Sequence, residues 1–364
     1  MSDMSTHLGD ILDTDLLEAM VSARFVKKTA HKTLPLYVYN YTAKAQYSET
    51  WNEVTTQCRG LIVDSNKTVI ARPFPKFFNH NPSFQLHGAV EITEKLDGSL
   101  GILYPVSDTE YAIATRGSFD SEQALHATSL WRSRFSNFKP EKSWTYLFEI
   151  LYPENRIVVD YGDLDDLVLL GAIEIATGRD VPLAEVAATW PGTVVRTTQH
   201  ASLADLLQQR ADPNSEGFVV RYAESGTRVK VKHEEYVRIH KIVTEVSERR
   251  VWEALSSGQS IESWIEAVPD ETFDFVRSCS ASLNERFDST NKRLSESFSN
   301  VMANLQPGWL RRDFADAVLA LTAVEPLAKC LFGLLDGRSI DDAVWESLRP
   351  AEHAPLFGGS AELE

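Results

Sequence analysis

Apolar and polar residues alternate in short runs from about residue 35 to residue 240, and the period then lengthens to that of helices. LIVD (Leu61 to Asp64) and VIA (Val69 to Ala71) flank Ser65-Asn66-Lys67-Thr68 and predict a hairpin. SLGILY (Ser99 to Tyr104) and YAIAT (Tyr111 to Thr115) predict a second around VSDTE. TYLFEIL (Thr145 to Leu151), RIVVDY (Arg156 to Tyr161) and LVLLGAIEI (Leu167 to Ile175) follow as strands. GFVVRY (Gly217 to Tyr222) and TRVKVKH (Thr227 to His233) close the series as a hairpin around AESG. Helices are expected over Asp120 to Phe135 and Ala201 to Gln209, while Leu183 to Ala188 is too short to assign. Strands without regular strand–helix alternation argue against a doubly wound parallel sheet.

Past residue 240, Val276, Leu283, Phe287, Leu294, Phe298 and Val301 form one apolar stripe on a long helix. Ser260 is placed to cap a helix carrying Ile261, Trp264 and Ile265. Phe314, Val318 and Leu321 suit another helix, as do Ile340, Val344 and Leu348; Gly333 and Gly337 punctuate the end, and the tail after Pro350 reads as frayed. The expected fold class is α+β: an antiparallel-sheet domain over 1–242, then an all-helical domain over 243–364. The stripe alone fits either a packing domain or an accessory RNA-recognition domain.

Composition narrows the function classes. With 36 basic and 52 acidic residues the formal charge is −16, which argues against broad adhesion to nucleic acid but permits a local basic cleft. No run of eighteen apolar residues predicts a membrane span, and the acidic N-terminus does not resemble a secretory signal. Cys58, Cys279 and Cys330 are sparse and lack zinc-ligand spacing, which fits a reducing, cytoplasmic setting.

The candidate chemistry starts at EKLDGSLG. An amine at Lys95 followed by Asp97, Gly98 and Ser99 suits a nucleophile in a turn that wraps closely around a nucleotide, although Asp-Gly is also a common turn pair. Glu149 lies among apolar neighbours, where a carboxylate needs a partner, a metal or a ligand. Glu216 precedes a glycine at the head of a strand. Lys230 and Lys232, two apart in VKVK, project to one face and repel unless an anion lies between them. Arg59, Lys76, Phe77, Phe78 and Asn79 lie upstream of Lys95, where an aromatic ring can stack on a base while a cation holds phosphate. Arg72 opens that run, and Arg116-Gly117-Ser118 ends a strand where it can meet phosphate or ribose. Each fragment alone has a plainer reading as a turn, an edge strand or a solvated sheet face.

Together these fragments resemble the covalent nucleotidyltransferases: ATP-dependent DNA ligases, RNA ligases and capping enzymes. KLDGS at Lys95, FE at Phe148-Glu149, EGFVV at Glu216 to Val220 and VKVK at Val229 to Lys232 occur in that superfamily's order. CRG at Cys58 to Gly60, RPFPKFFN at Arg72 to Asn79, ENRIVVDY, Tyr236 and His240 bring the chain nearer to the phage-type RNA ligase 1 family, over about residues 55 to 242. A helical rather than β-barrel continuation favours an RNA ligase over its two relatives.

The resemblance implies an enzyme that joins 5′-phosphate and 3′-hydroxyl RNA ends, broken transfer RNA among them, using ATP with Mg²⁺ or Mn²⁺ and no obligate protein partner. It implies catalytic roles for Lys95, Lys230, Lys232, Arg59 and Glu216. Nucleotide contacts fall to these residues with Lys76, Phe78, Gly98, Arg116 and Glu149, and metal contacts to Glu149 and Glu216. Phe78 would stack on adenine, and Arg116 stands where lysine is familiar in the family. The alternatives are a DNA or nick-sealing ligase and an inactive RNA-binding protein of the same fold.

Overall fold

Three sheets built mainly from antiparallel pairs occupy the first 243 residues of the computed structural model, which describes residues 5–81, 83, 88–198, 202–208, 212, 214–243, 246–259, 273–322 and 325–350. The chain divides into two units, Met1–Val243 and Thr244–Glu364. The first sheet runs β1 (Val26–Ala30), β2 (Leu36–Tyr41), β3 (Arg59–Asp64) and β4 (Val69–Ala71) in order. β1 and helix α1 (Thr14–Ser22) precede the region that alternation marks. VKKTA buries only Val26, so this edge strand with solvated lysines leaves no period-two signal. Asp13 caps α1 by accepting from the amides of Asp15 and Leu16.

The later strands are β5 (Phe78–Asn79), β6 (Val90–Lys95), β7 (Ser99–Pro105), β8 (Tyr111–Ala114), β9 (Trp144–Leu151), β10 (Asp166–Glu174), β11 (Asp180–Val181), β12 (Gly217–Tyr222) and β13 (Arg228–Lys232). One sheet has the order β11-β10-β9-β7-β8 and the other β5-β13-β12-β6, with β5 parallel to β13. The four expected hairpin and strand groups are present, but RIVVDY is not a strand. It follows a short 3-10 turn as an irregular loop, in which the Val158 and Val159 amides are taken by a side chain. The helix expected over Asp120 to Phe135 comprises an α-helix, Glu122–Leu130, and a π-helical turn, Trp131–Phe135. Leu183–Thr189 and Leu203–Leu207 are also helical.

The five-stranded sheet buries Phe148, Leu167 and Leu169 against Trp131, Phe135 and Trp190. Trp190 stacks on Trp131 at 6.0 Å and meets Phe135 at 4.5 Å, so helix and sheet share one aromatic core. Asp180 of β11 pairs with Arg221 at 3.1 Å and with Arg228, tying that sheet's edge to β12 and β13. The first unit ends in a helix, Glu234–Val243.

In the second unit, Phe273–Asn304 forms the long helix that the stripe predicts, burying Val276, Leu283, Leu294 and Val301. Arg311–Leu321 and Asp341–Ser347 match the next two patterns; Gly333 lies inside a short helix, Leu331–Leu335. The helix expected after Ser260 and the tail after Pro350 fall outside the described residues. No helix among the described residues is long and apolar enough to cross a membrane.

Candidate active site

The strand register builds the centre of the site. β12 lies between β6 and β13, and Gly217 at its head is the cross-strand partner of both Lys95 and Lys232. The preceding residue, Glu216, is 2% exposed and reaches both amines: Oε2 lies 2.7 Å from Lys95 Nζ and Oε1 lies 2.8 Å from Lys232 Nζ. Position 217 requires glycine. Its φ of +138° is left-handed, and a Cβ there would come 2.1 Å from the Val231 carbonyl oxygen. The three strands therefore close at Gly217 and bring Lys95, Glu216 and Lys232 into one ion-paired group.

From Lys95 the chain crosses from one sheet into the other through Leu96-Asp97-Gly98. A Cβ on Gly98 would meet the Ile150 carbonyl at 2.6 Å, so only glycine lets this turn pass β9 so closely. The Gly98 amide donates to Glu149 Oε1 at 3.0 Å. The Glu149 carboxyl is pushed up to about 7, chiefly by burial and further by Glu216, against the opposing pull of Lys95. Glu149, Lys95 and Glu216 thus share one electrostatic field.

Cations converge behind this group. Burial holds the Lys230 amine well below its ordinary range, and Lys76, Lys95, Lys232 and Arg59 add to the effect in that order. Such a cluster is stabilised by an anion placed among its members. Phe77 packs against the core, with Lys230 5.2 Å and Arg59 5.3 Å from its ring centre. Its neighbour Phe78 is 38% exposed. Lys76 Nζ donates to Gln46 Oε1 at 2.8 Å and to the Tyr41 hydroxyl at 3.3 Å, and it lies against the rings of Tyr41, Trp51 and Phe78. Arg116 Nη1 donates to the same Tyr41 hydroxyl at 2.5 Å, so one phenol gathers two cations.

All ten candidate residues fall on this assembly: Lys95, Glu216, Lys230, Lys232, Arg59 and Glu149 at its centre, Gly98 in the turn, and Lys76, Phe78 and Arg116 on its flank. Arg72 does not join them. It is buried, and its guanidinium donates to the carbonyl of Ile175 at 3.2 Å. Tyr41, Gln46 and Trp51 are the members that sequence reasoning missed. The role of Asp97 also emerges only here. It is 3% exposed; Oδ2 accepts from the Val158 and Val159 amides at 2.9 Å each, and Oδ1 accepts from the Tyr236 hydroxyl at 2.7 Å. Its own amide donates to the Tyr161 hydroxyl at 2.8 Å. Asp97 therefore fixes the turn. His240 lies on the terminal helix, but its side chain is outside the description.

The model of the RNA ligase family matches residues 57–236, the span that carries all ten candidate residues together with Asp97, Tyr161 and Tyr236. This segment belongs to the phage T4 RNA ligase 1 family. The chain is 22% identical over 366 residues to an RNA ligase of Rhodothermus phage RM378, covering 77% of this chain and 81% of that protein. It is 28% identical over 252 residues to an RNA ligase described from Thermovibrio ammonificans, with 63% of each chain covered. It is also 27% identical over 271 residues to a protein of Autographa californica nuclear polyhedrosis virus described as a bifunctional polynucleotide kinase/RNA ligase. That match takes in 65% of this chain and spans 38% of the viral protein's length. Two motifs of this RNA ligase segment, ENRIVVDY and Tyr236, acquire a physical meaning: both converge on Asp97 and set the turn after Lys95.

The charge state of Glu149 gives a measurable pH signature. Between the ordinary carboxylate range and about pH 7, the folded protein holds a proton on Glu149 that the unfolded chain has released. Stability from this group therefore falls as pH rises through that window. Glu149→Gln removes the titration and can keep the hydrogen bond from Gly98. Wild type should lose on the order of 1–3 kcal/mol more stability than E149Q between pH 4.5 and pH 8. Urea denaturation of both proteins at the two pH values measures the difference; parallel losses would show that Glu149 is ionised throughout.

Proposed function

We propose that this protein is an ATP-dependent RNA ligase that joins a 5′-phosphate to a 3′-hydroxyl through lysine–AMP and RNA–adenylate intermediates. The observation that carries this reading is the Lys95 amine, ion-paired to Glu216 at 2.7 Å and bordered by the cations around Lys230. In the first step the Lys95 nitrogen attacks the α-phosphorus of ATP, a P–N bond forms, and the bond to pyrophosphate breaks. AMP then passes to the RNA 5′-phosphate, and the 3′-hydroxyl displaces it.

Each residue has a role in that sequence. Lys232, on the other oxygen of Glu216, meets charge developing on the α-phosphate. Lys230 and Arg59 hold phosphate beside it. Lys76 and Arg116, gathered by Tyr41, receive the outer phosphates, and the exposed Phe78 ring stacks on adenine. Glu149 binds ribose hydroxyls. Glu149 and Glu216 are the carboxylates suited to assist Mg²⁺ or Mn²⁺, which offsets charge on departing pyrophosphate. No group of three His, Cys, Asp or Glu residues capable of holding a metal occurs among the described residues. The fit is therefore to an ion held largely by phosphate oxygens and water. All these side chains lie in 1–242, and 243–364 is assigned to RNA selection, with broken transfer RNA as a candidate substrate in the cytoplasm.

Incubation with labelled ATP and Mg²⁺, followed by denaturing electrophoresis, tests the first step. A single-stranded RNA bearing a 5′-phosphate should then be sealed faster than nicked DNA at equal enzyme concentration. Faster sealing of the nick would assign the same nucleotide site to a DNA ligase, and labelling by GTP in preference to ATP would indicate a capping enzyme.

A further inference from the structure

A cavity of about 120 Å³ adjoins the nucleophile turn through Asp97 and is lined by Asp97, Tyr152, Asn155, Arg156, Tyr161 and Leu164 among others. We propose that this cavity receives a nucleobase of the RNA end being joined. The proposal rests on the ligase reading and names a subsite within it.

The walls suit a flat, hydrogen-bonding ring. His126 stacks on Tyr152 at 4.0 Å with an interplanar angle of 20°, and His126 Nε2 is itself fixed on Asp165 at 2.7 Å. Tyr152 is therefore braced on one side. The Tyr161 ring is pinned through its hydroxyl by the Asp97 amide. Leu164 is 39% exposed and forms an apolar lip. Polar groups interrupt this lining. The Asn155 amide is oriented by Ser99 Oγ at 3.2 Å and the Ile150 carbonyl at 3.0 Å. Arg156, half exposed and paired with Asp160 at 2.9 Å, supplies a cation. Rigid aromatic faces with an amide and a guanidinium are the means by which single-stranded bases are held.

The location supports the same occupant. Asp97 belongs both to the cavity wall and to the turn, and it lies two residues from Lys95, a reach of at most about 7 Å of chain. A base held here therefore lies beside the turn that carries the lysine. The cavity has room for one base. Because Tyr161 and Asp97 are hydrogen-bonded, an occupied cavity also presses on the turn that aims the nucleophile.

The test uses the whole protein and a 5′-phosphorylated single-stranded RNA carrying 5-iodouridine at its terminal nucleotide. Irradiation and peptide mapping should place the crosslink on Tyr152 or Tyr161. Leu164→Trp narrows the mouth at an exposed position. It should lower the crosslink yield and raise the KM for RNA about tenfold, in line with the loss of one stacked base. Circular dichroism and urea denaturation of the same variant report its folding. A crosslink elsewhere, an undiminished yield in L164W, or loss of the crosslink on adding adenosine would overturn the assignment, the last by giving the cavity to ATP. Failure of wild type to form any lysine–AMP would instead remove the ligase reading and leave the crosslink result standing.

Discussion

Lys95→Ala is expected to abolish covalent labelling of the protein by ATP, a loss on the order of 10³-fold or more, as when a covalent nucleophile is deleted. Wild type should gain the mass of one adenylate on Lys95. Acid should release that adenylate and alkali should not, because the bond is a phosphoramide. Folding should survive the substitution. Glu216 is buried between two amines, and removing Lys95 leaves it paired with Lys232 at 2.8 Å. A buried carboxylate that keeps one partner avoids the 3–5 kcal/mol or so that an orphaned buried charge costs. Circular dichroism should therefore match wild type while the label disappears. Labelling of K95A at the wild-type level would move the nucleophile to another residue.

The second large effect is at Lys232. Lys232→Ala should still bind ATP but form the lysine–AMP adduct at least ten times more slowly. The 6% exposed amine touches Glu216 and so stands next to Lys95 on the nucleophile's own carboxylate. A donor that meets charge developing at the α-phosphate favours the transition state over the ground state. Losing one such donor costs roughly 2–4 kcal/mol, whereas about 1.4 kcal/mol already corresponds to a factor of ten. Single-turnover adenylation at saturating ATP separates rate from affinity. A rate within twofold of wild type would reduce Lys232 to a structural counter-ion of Glu216.

Much of this site was readable along the chain because its central residues sit in local patterns. KLDGS, EGFVV and VKVK each carry their own turn or alternation, and β-pairing brings their ends to a common partner, Gly217. What escaped the sequence depends on tertiary contact. Tyr41 closes an ordinary alternating strand, Gln46 lies in a short helix and Trp51 in a loop. Nothing in their spacing shows that they surround Lys76. RIVVDY misled for a related reason. Its branched residues favour a strand, but the Asp97 carboxylate takes the amides of Val158 and Val159 that a neighbouring strand would need. Arg72 shares the run that carries Lys76, yet its backbone amide is fixed on Thr145 and its head is turned towards the Ile175 carbonyl. In the second unit the helices were legible from their stripes, and a stripe specifies what packs inward without saying what the outer face touches.

The closure of three strands on Gly217 makes chemical competence a report on strand alignment. A slip of one residue between β12 and β13 would bring Val231, an aliphatic side chain pointing to the opposite face, to the place of Lys232. A slip between β12 and β6 would withdraw Lys95 in the same way. A molecule misaligned at either seam could remain folded and yet be silent towards ATP. The fraction of a preparation that accepts one AMP per chain would then count correctly registered molecules, a quantity that bulk secondary-structure measurements cannot distinguish.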